Sequence, residues 1–161
     1  MKRQLINKGI FKEYDIRGRY PEEIDEEAAS AIGLAFVKLK KIKKMALGWD
    51  ARPESAKVAA ALALGARAAG ADIFSLGVCA SPEMFFAVGD KKLDGGAMAT
   101  ASHNPSGYTG FKLCGKDGVP MGMKTGLKEL IQLVKEPAHR QGRQDARNLP
   151  GKAGKMPKAR D

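Results

Sequence analysis

The residues with most to say about chemistry stand together, at Thr100-Ala101-Ser102-His103-Asn104-Pro105-Ser106-Gly107-Tyr108. A run of small residues, Gly95-Gly96-Ala97-Met98-Ala99, leads into them and reads as a strand packed closely between layers. Such a strand delivers the Ser102 hydroxyl to the end of a sheet, where layered α/β proteins place their ligands. Small neighbours let a bulky anion approach the backbone. His103 can donate or accept a proton near neutral pH, Asn104 adds an amide, and Pro105 stiffens the loop.

A serine in this setting is either an acyl nucleophile or a phosphoryl acceptor. The acyl route is weakly supported. A nucleophile elbow wants Gly-x-Ser-x-Gly between strand and helix, with an acid and a histidine further on. Here the serine lies in Ala-Ser-His, and the one other histidine, His139, sits in a polar C-terminal stretch. Phosphoryl handling calls for cations and amides instead. Arg17, Arg52 and Lys112 fall at expected strand ends or turns, and no Walker-type Gly-x-x-x-x-Gly-Lys-[Ser/Thr] occurs.

The elements that must position these groups follow from periodicity. Residues 11–18 read as a short strand ending at a Gly turn. A helix is expected over 24–42, from Ile24, Ala28, Ile32, Ala35, Phe36 and Leu39 at helical spacing. Its lysine-rich end suits the macrodipole better than a binding patch. Residues 45–49 form an apolar strand. An alanine-rich helix over 55–69 is capped by Ser55 and stopped by Gly70. A strand at 72–77, a helix opened by Ser81-Pro82, strands at 95–100 and 108–114, and a last helix over 124–134 complete the order. Strands alternating with helices predict an α/β domain with a largely parallel sheet. The short link between residues 95–100 and 108–114 allows an antiparallel edge.

The chain of 161 residues is long enough for one domain with a real core, and its 43% apolar and 29% charged residues are those of a globular protein. No apolar run approaches a membrane span, and the basic N-terminus has no long apolar stretch behind it. Cys79 and Cys114 lie too far apart for ligand-type spacing and read as reduced thiols of a cytoplasmic protein. The net charge is +10. Residues 137–161 carry seven Lys and Arg against two Asp, which is half of it. This stretch has too few large apolar residues to offset its ordering entropy, so 135–161 reads as a disordered tail after a domain at 1–134. Nucleic-acid binders more often show a basic stripe with stacking aromatics on the folded face, which argues against that class.

Five segments together resemble the α-D-phosphohexomutases, the phosphomannomutase/phosphoglucomutase family. Thr100-Ala101-Ser102-His103-Asn104-Pro105 is similar to that family's phosphoserine loop. Phe11-Lys12-Glu13-Tyr14-Asp15-Ile16-Arg17-Gly18 looks like its opening motif, and Gly48-Trp49-Asp50-Ala51-Arg52 with Ser55 like its Gly-x-Asp-x-Arg turn. Gly70-Ala71-Asp72-Ile73 through Ser81-Pro82 resembles its next strand and turn. Tyr108-Thr109-Gly110-Phe111-Lys112 resembles its Tyr-Asn-Gly-x-Lys strand.

The resemblance implies a three-layer α/β/α sandwich with a mostly parallel mixed sheet, the first of four domains. It implies that Ser102 carries a phosphoryl group between the 1- and 6-positions of a hexose phosphate, with a hexose 1,6-bisphosphate as activator. Arg17, Tyr14 and Asn104 would line the substrate site, Arg17 near phosphate. Lys112 would serve proton transfer or charge balance, and His103 would orient the loop. A magnesium ion would touch a phosphate oxygen on Ser102. Without the resemblance, His103 and Lys112 read as surface residues, Arg52 as a structural tie, and Tyr14 as packing or site lining equally.

The departures are equally plain. The family's Asp-Gly-Asp-x-Asp-Arg metal loop is absent, as are its sugar-reading loop and C-terminal phosphate clamp. Thr109 replaces the usual Asn, and Ala80-Ser81-Pro82 varies the usual Thr-Pro turn. The expectation is a domain incomplete and inactive alone, from a truncated or frameshifted gene, needing a chain that supplies the missing domains. The alternative is a natural one-domain derivative that binds phosphorylated ligands or a partner without catalysis. A lone domain is also expected to expose an apolar face that favours self-association.

Overall fold

The computed structural model describes residues 6–135. Its elements run β1 (Ile16–Arg19), α1 (Glu26–Lys40), β2 (Lys44–Trp49), α2 (Pro53–Ala68), β3 (Asp72–Val78), α3 (Ser81–Asp90), β4 (Gly95–Ala99), β5 (Tyr108–Cys114) and α4 (Lys128–Lys135). The five strands form one sheet in the order β1-β5-β4-β2-β3. β2 pairs parallel with β3 and β4, whereas β5 pairs antiparallel with β4 and β1. The sheet is therefore mixed, as the short link between β4 and β5 requires.

Two cores separate on the two faces. Met45 and Leu47 of β2, Ala97 and Ala99 of β4, and Phe111 and Leu113 of β5 pack with α1, α2 and α4, around Phe36, Leu62 and Leu130. The alternate residues Ala46, Met98 and Cys114 pack beneath Met84 and Val88 of α3. This gives the three layers, helices on both faces of the sheet.

Where the elements depart from expectation, local chemistry explains it. The opening strand is only Ile16–Arg19, because the Lys12 N–H donates to the Asp15 carbonyl at 2.8 Å and turns the chain, leaving Phe11 to bridge Ile16. Ser55 does not cap α2. Pro53 takes the first helical position, Arg52 becomes the N-cap, and Ser55 is buried inside the first turn. Gly70 does end that helix, at φ +96°. The last helix begins later than expected, at Lys128, after a π turn over Met123–Leu127. The Thr125 hydroxyl accepts the Gly122 N–H at 2.7 Å, and Gly126 takes φ +139°. The stretch read as a disordered tail lies outside the described residues beyond Lys135.

Neither cysteine is in a disulfide. The Cys114 thiol is pushed up to about 12 by burial, and burial also raises Cys79, so both are protonated at neutral pH. Among the described residues no helix is long and apolar enough to cross a membrane. Large apolar side chains are exposed on separate elements: Leu64 of α2, Phe74 and Val78 of β3, and Phe86 of α3.

α1 and α2 pack at van der Waals contact of their backbones. A Cβ on Gly33 would fall on the Leu62 carbonyl, and one on Gly65 would fall on the Ser30 carbonyl. Gly65→Val is therefore expected to destabilise the fold by roughly 1–3 kcal/mol, or more if the helices must part. Gly89 of α3 faces open space, so Gly89→Ala is expected to stabilise by about 0.5–1 kcal/mol. Paired urea denaturation curves check both signs. Thr109 is wholly buried and its hydroxyl has no hydrogen-bond partner. Thr109→Val, of similar shape, is expected to raise stability by about 1 kcal/mol in the same assay, since it removes an unpaired buried hydroxyl.

Candidate active site

The loop between β4 and β5 sits beside the chain that leaves β2. β4 ends at Ala99, and pairing continues as the Asp50 N–H donates to the Ala99 carbonyl at 3.0 Å and the Thr100 N–H to the Gly110 carbonyl at 2.9 Å. The chain then turns. The Ser102 N–H donates to Thr100 Oγ1 at 2.9 Å, and the Asn104 N–H to the Ala101 carbonyl at 3.1 Å. Ser102 itself lies in the left-handed region at φ +54° and is exposed. A non-glycine residue held there stores roughly 1–2 kcal/mol of backbone strain, so something must hold it.

That something is Arg52. Its Nη2 donates to the carbonyls of Ser102 at 3.1 Å and Asn104 at 2.6 Å, and its Nη1 to those of Pro105 at 2.9 Å and Tyr108 at 3.5 Å. The Asp50 carboxylate lies 3.6 Å from Arg52 Nε and accepts the Arg52 N–H at 3.1 Å. Burial pushes the Asp50 carboxyl up. The Ser55 and Thr100 hydroxyls, the Arg52 amide and the Arg52 charge outweigh it and hold it below the usual carboxylate value. The Ser55 hydroxyl makes no hydrogen bond of ordinary geometry, so it acts on the carboxylate as a nearby dipole. Arg52 thus ties a turn to a carboxylate, as its sequence context implied, and also holds the loop.

The other cations gather on Asp15. Arg17 forms an ion pair with Asp15 Oδ2 and donates through Nη1 to Asn104 Oδ1 at 2.9 Å. Lys112 Nζ lies 3.5 Å from the same Asp15 oxygen. Asp15, Arg17 and Lys112 come together because β1 and β5 pair antiparallel, with Ile16 opposite Phe111. Residues flanking that buried pair point to the other face, which places the two cations on one side. Arg17 reaches the loop through Asn104, two residues from Ser102. Lys112 reaches the same cluster through Asp15.

A cleft of about 850 Å³ opens beside this cluster, lined by Tyr14, Asp15, Arg17, Arg19, Asn104 and Tyr108, with Lys12 and the acids Glu13, Glu22 and Glu23 at its walls. Tyr14 is 76% exposed and so serves the cleft rather than the core. Ser102, His103 and Lys112 do not line it. His103 is exposed, and no side-chain hydrogen bond reaches it among the described residues. The cleft mixes both charge signs, with Arg17 and Lys112 already drawn to Asp15.

Two contributors are not site candidates from sequence, Asp15 as the shared anchor of two cations and Thr100 as the acceptor for Ser102, and a third, Arg52, reads there as a turn cation and structural tie rather than as the loop's clamp. The sequence marks Arg52 as a cation at a turn and as the end of the Gly48–Arg52 motif, but nothing local says that its partners are the carbonyls of a loop fifty residues on. For magnesium, the described residues hold no group of three His, Cys, Asp or Glu side chains placed to bind a metal. Of the carboxylates nearest the loop, Asp15 and Asp50 are each engaged by an arginine. The residues present therefore do not by themselves build a magnesium site.

Comparison with known proteins gives one consistent answer. A family profile described as phosphoglucomutase/phosphomannomutase, alpha/beta/alpha domain I, matches residues 8–141. A phosphomannomutase of Klebsiella pneumoniae is 40% identical over 126 residues, covering 78% of this chain and 80% of that protein. A phosphomannomutase of Escherichia coli is also 40% identical over 126 residues, but there the match covers only 28% of the relative's length. The crystal structure of a phosphoglucomutase/phosphomannomutase family protein of Burkholderia thailandensis superposes with a TM-score of 0.68 at 30% identity, over 88% of this chain and 31% of that one. On sequence, on fold and on the loop that the fold presents, this chain belongs to the phosphoglucomutase/phosphomannomutase family and carries its alpha/beta/alpha domain I.

Proposed function

We propose that this chain is the phosphoserine-bearing domain of a hexose phosphomutase, with Ser102 as the phosphoryl carrier. The observation that supports this most directly is the loop itself. An exposed serine is held in a strained backbone conformation by four carbonyl contacts from Arg52, with Arg17 hydrogen-bonded to the neighbouring Asn104.

In this reading the bond from phosphorus to Ser102 Oγ breaks as a bond to a sugar oxygen forms. The hexose bisphosphate turns over and returns its other phosphoryl group to Ser102. A phosphoryl group brings a charge of about −1.5 to −2 at neutral pH. Arg17 and Lys112 are the cations at hand to share it, competing with Asp15. Lys112 is the candidate for proton transfer or charge balance at the phosphoserine, as an ammonium giving a proton to the departing Ser102 oxygen, and His103 for orienting the loop. Tyr14, Arg17 and Asn104 face the substrate across the cleft.

Magnesium supplies charge neutralisation on a phosphoserine oxygen in this chemistry, and Ser102 is the one ligand proposed from this chain. Its described carboxylates do not complete a metal site, so the ion's remaining ligands would come from outside the described residues. The chain spans 28% of the length of its Escherichia coli relative. We accordingly propose that a hexose 1-phosphate or 6-phosphate is the substrate only when further domains, or a chain that supplies them, complete the site. Two free thiols fit a reducing, cytoplasmic compartment.

Incubation with glucose 1,6-bisphosphate and magnesium ions is expected to add one phosphoryl group, read by intact mass, and Ser102→Ala is expected to abolish the addition. Labelling that persists in the variant would remove Ser102 from the role. Purified alone, the chain is expected to show no measurable turnover of glucose 1-phosphate or mannose 1-phosphate in a coupled assay. Sustained turnover would show that one domain suffices.

A further inference from the structure

The Arg52 contacts fix more than the loop's carbonyls. In a trans peptide the C=O of one residue and the N–H of the next point in opposite directions. The only cis peptide bond among the described residues is Tyr20–Pro21. With the Ser102 and Pro105 carbonyls turned onto Arg52, the N–H groups of His103 and Ser106 are turned away from it. The Asn104 carbonyl is also held, but the residue after it is Pro105, which has no N–H.

These two N–H groups are also unused. The Ser102, Asn104 and Tyr108 amides have acceptors at Thr100 Oγ1, the Ala101 carbonyl and the Pro105 carbonyl. The His103 and Ser106 amides have none among the described residues, and both residues are exposed. They stand one and four positions beyond the hydroxyl that carries phosphorus in the reading above.

We propose that the main-chain N–H groups of His103 and Ser106 are phosphate-binding donors beside Ser102, and that Arg52 is the positioning residue that presents them. The inference rests on Ser102 being the phosphoryl carrier and adds how the loop receives the charge. Fixed backbone dipoles need no reorganisation when an anion arrives, and Asp15 does not compete for them as it does for Arg17 and Lys112. Arginine suits the task because its planar fork of five donors can hold several carbonyls at once, whereas lysine offers a point charge.

The test is an amide NMR titration of the full chain with inorganic phosphate. In the wild type, the His103 and Ser106 amide protons are expected to move downfield and saturate, while amides remote from the loop stay in place. Arg52→Met is expected to erase those two shifts and weaken phosphate binding about tenfold, the worth of roughly one good hydrogen bond. Arg52→Lys, with the charge kept, is expected not to restore them. Wild-type amides that do not respond would overturn the proposal. So would full recovery in Arg52→Lys, which would make Arg52 a source of charge rather than of position. If Arg52→Met fails to fold, the wild-type titration and Arg52→Lys still decide. Intact mass scores Ser102 phosphorylation separately. Amide shifts without labelling would count against the carrier role and support the donor pair.

Discussion

One guanidinium holds this site together. The connection between β4 and β5 has no core of its own, and its carbonyls need donors. Arg52 supplies them from the N-terminus of α2, 50 or more residues earlier in the chain, and is itself tethered by Asp50. The contact joins the parallel half of the sheet, β2 with its following helix, to the antiparallel half, β4 with β5. It also offsets the left-handed backbone of Ser102. A point charge cannot do the same, because the geometry asks for several donors fixed in one plane.

The second constraint is a shared carboxylate. Arg17 and Lys112 both meet Asp15 Oδ2. Partly exposed ion pairs of this kind are worth roughly 0–1 kcal/mol each once desolvation and side-chain entropy are counted. A carboxylate between the two cations offsets their mutual repulsion without holding either one tightly. An arriving phosphoryl dianion then meets cations already gathered, and the balance between it and Asp15 sets how strongly they are drawn to it. The cleft beside them carries acids as well as bases, so attraction here is local to the cation pair rather than spread over a basic bowl.

Both devices depend on a strand that offers almost no side chain. β4 is Gly-Gly-Ala-Met-Ala and buried throughout. Gly96 lies against Met84 and Val88 of α3 on one face, while Ala97 and Ala99 meet the opposite core. Small residues at the centre of the sheet let helices close from both sides. The rigid floor so formed is what makes the position of the loop above it reproducible.

The sequence by itself determined the order and type of the elements, because the periods of 2 and 3.6 are written locally in residues such as Ile32, Phe36 and Leu39. It also determined the family, since five short motifs kept their order and spacing. Other features became visible only in three dimensions. The opening strand proved short because the Lys12 amide finds the Asp15 carbonyl. Ser55 lost its capping role to the geometry of Pro53. The final helix waited for Gly126. Arg52 reads from sequence as a turn cation and a structural tie, and Asp15 as a motif acid, but only the topology sets Arg52 beside a loop fifty positions away, and Asp15 beside a lysine nearly a hundred positions on. A side chain's chemistry is local, but its partners are chosen by strand order and register, and those are settled only when the whole sheet assembles around its two cores.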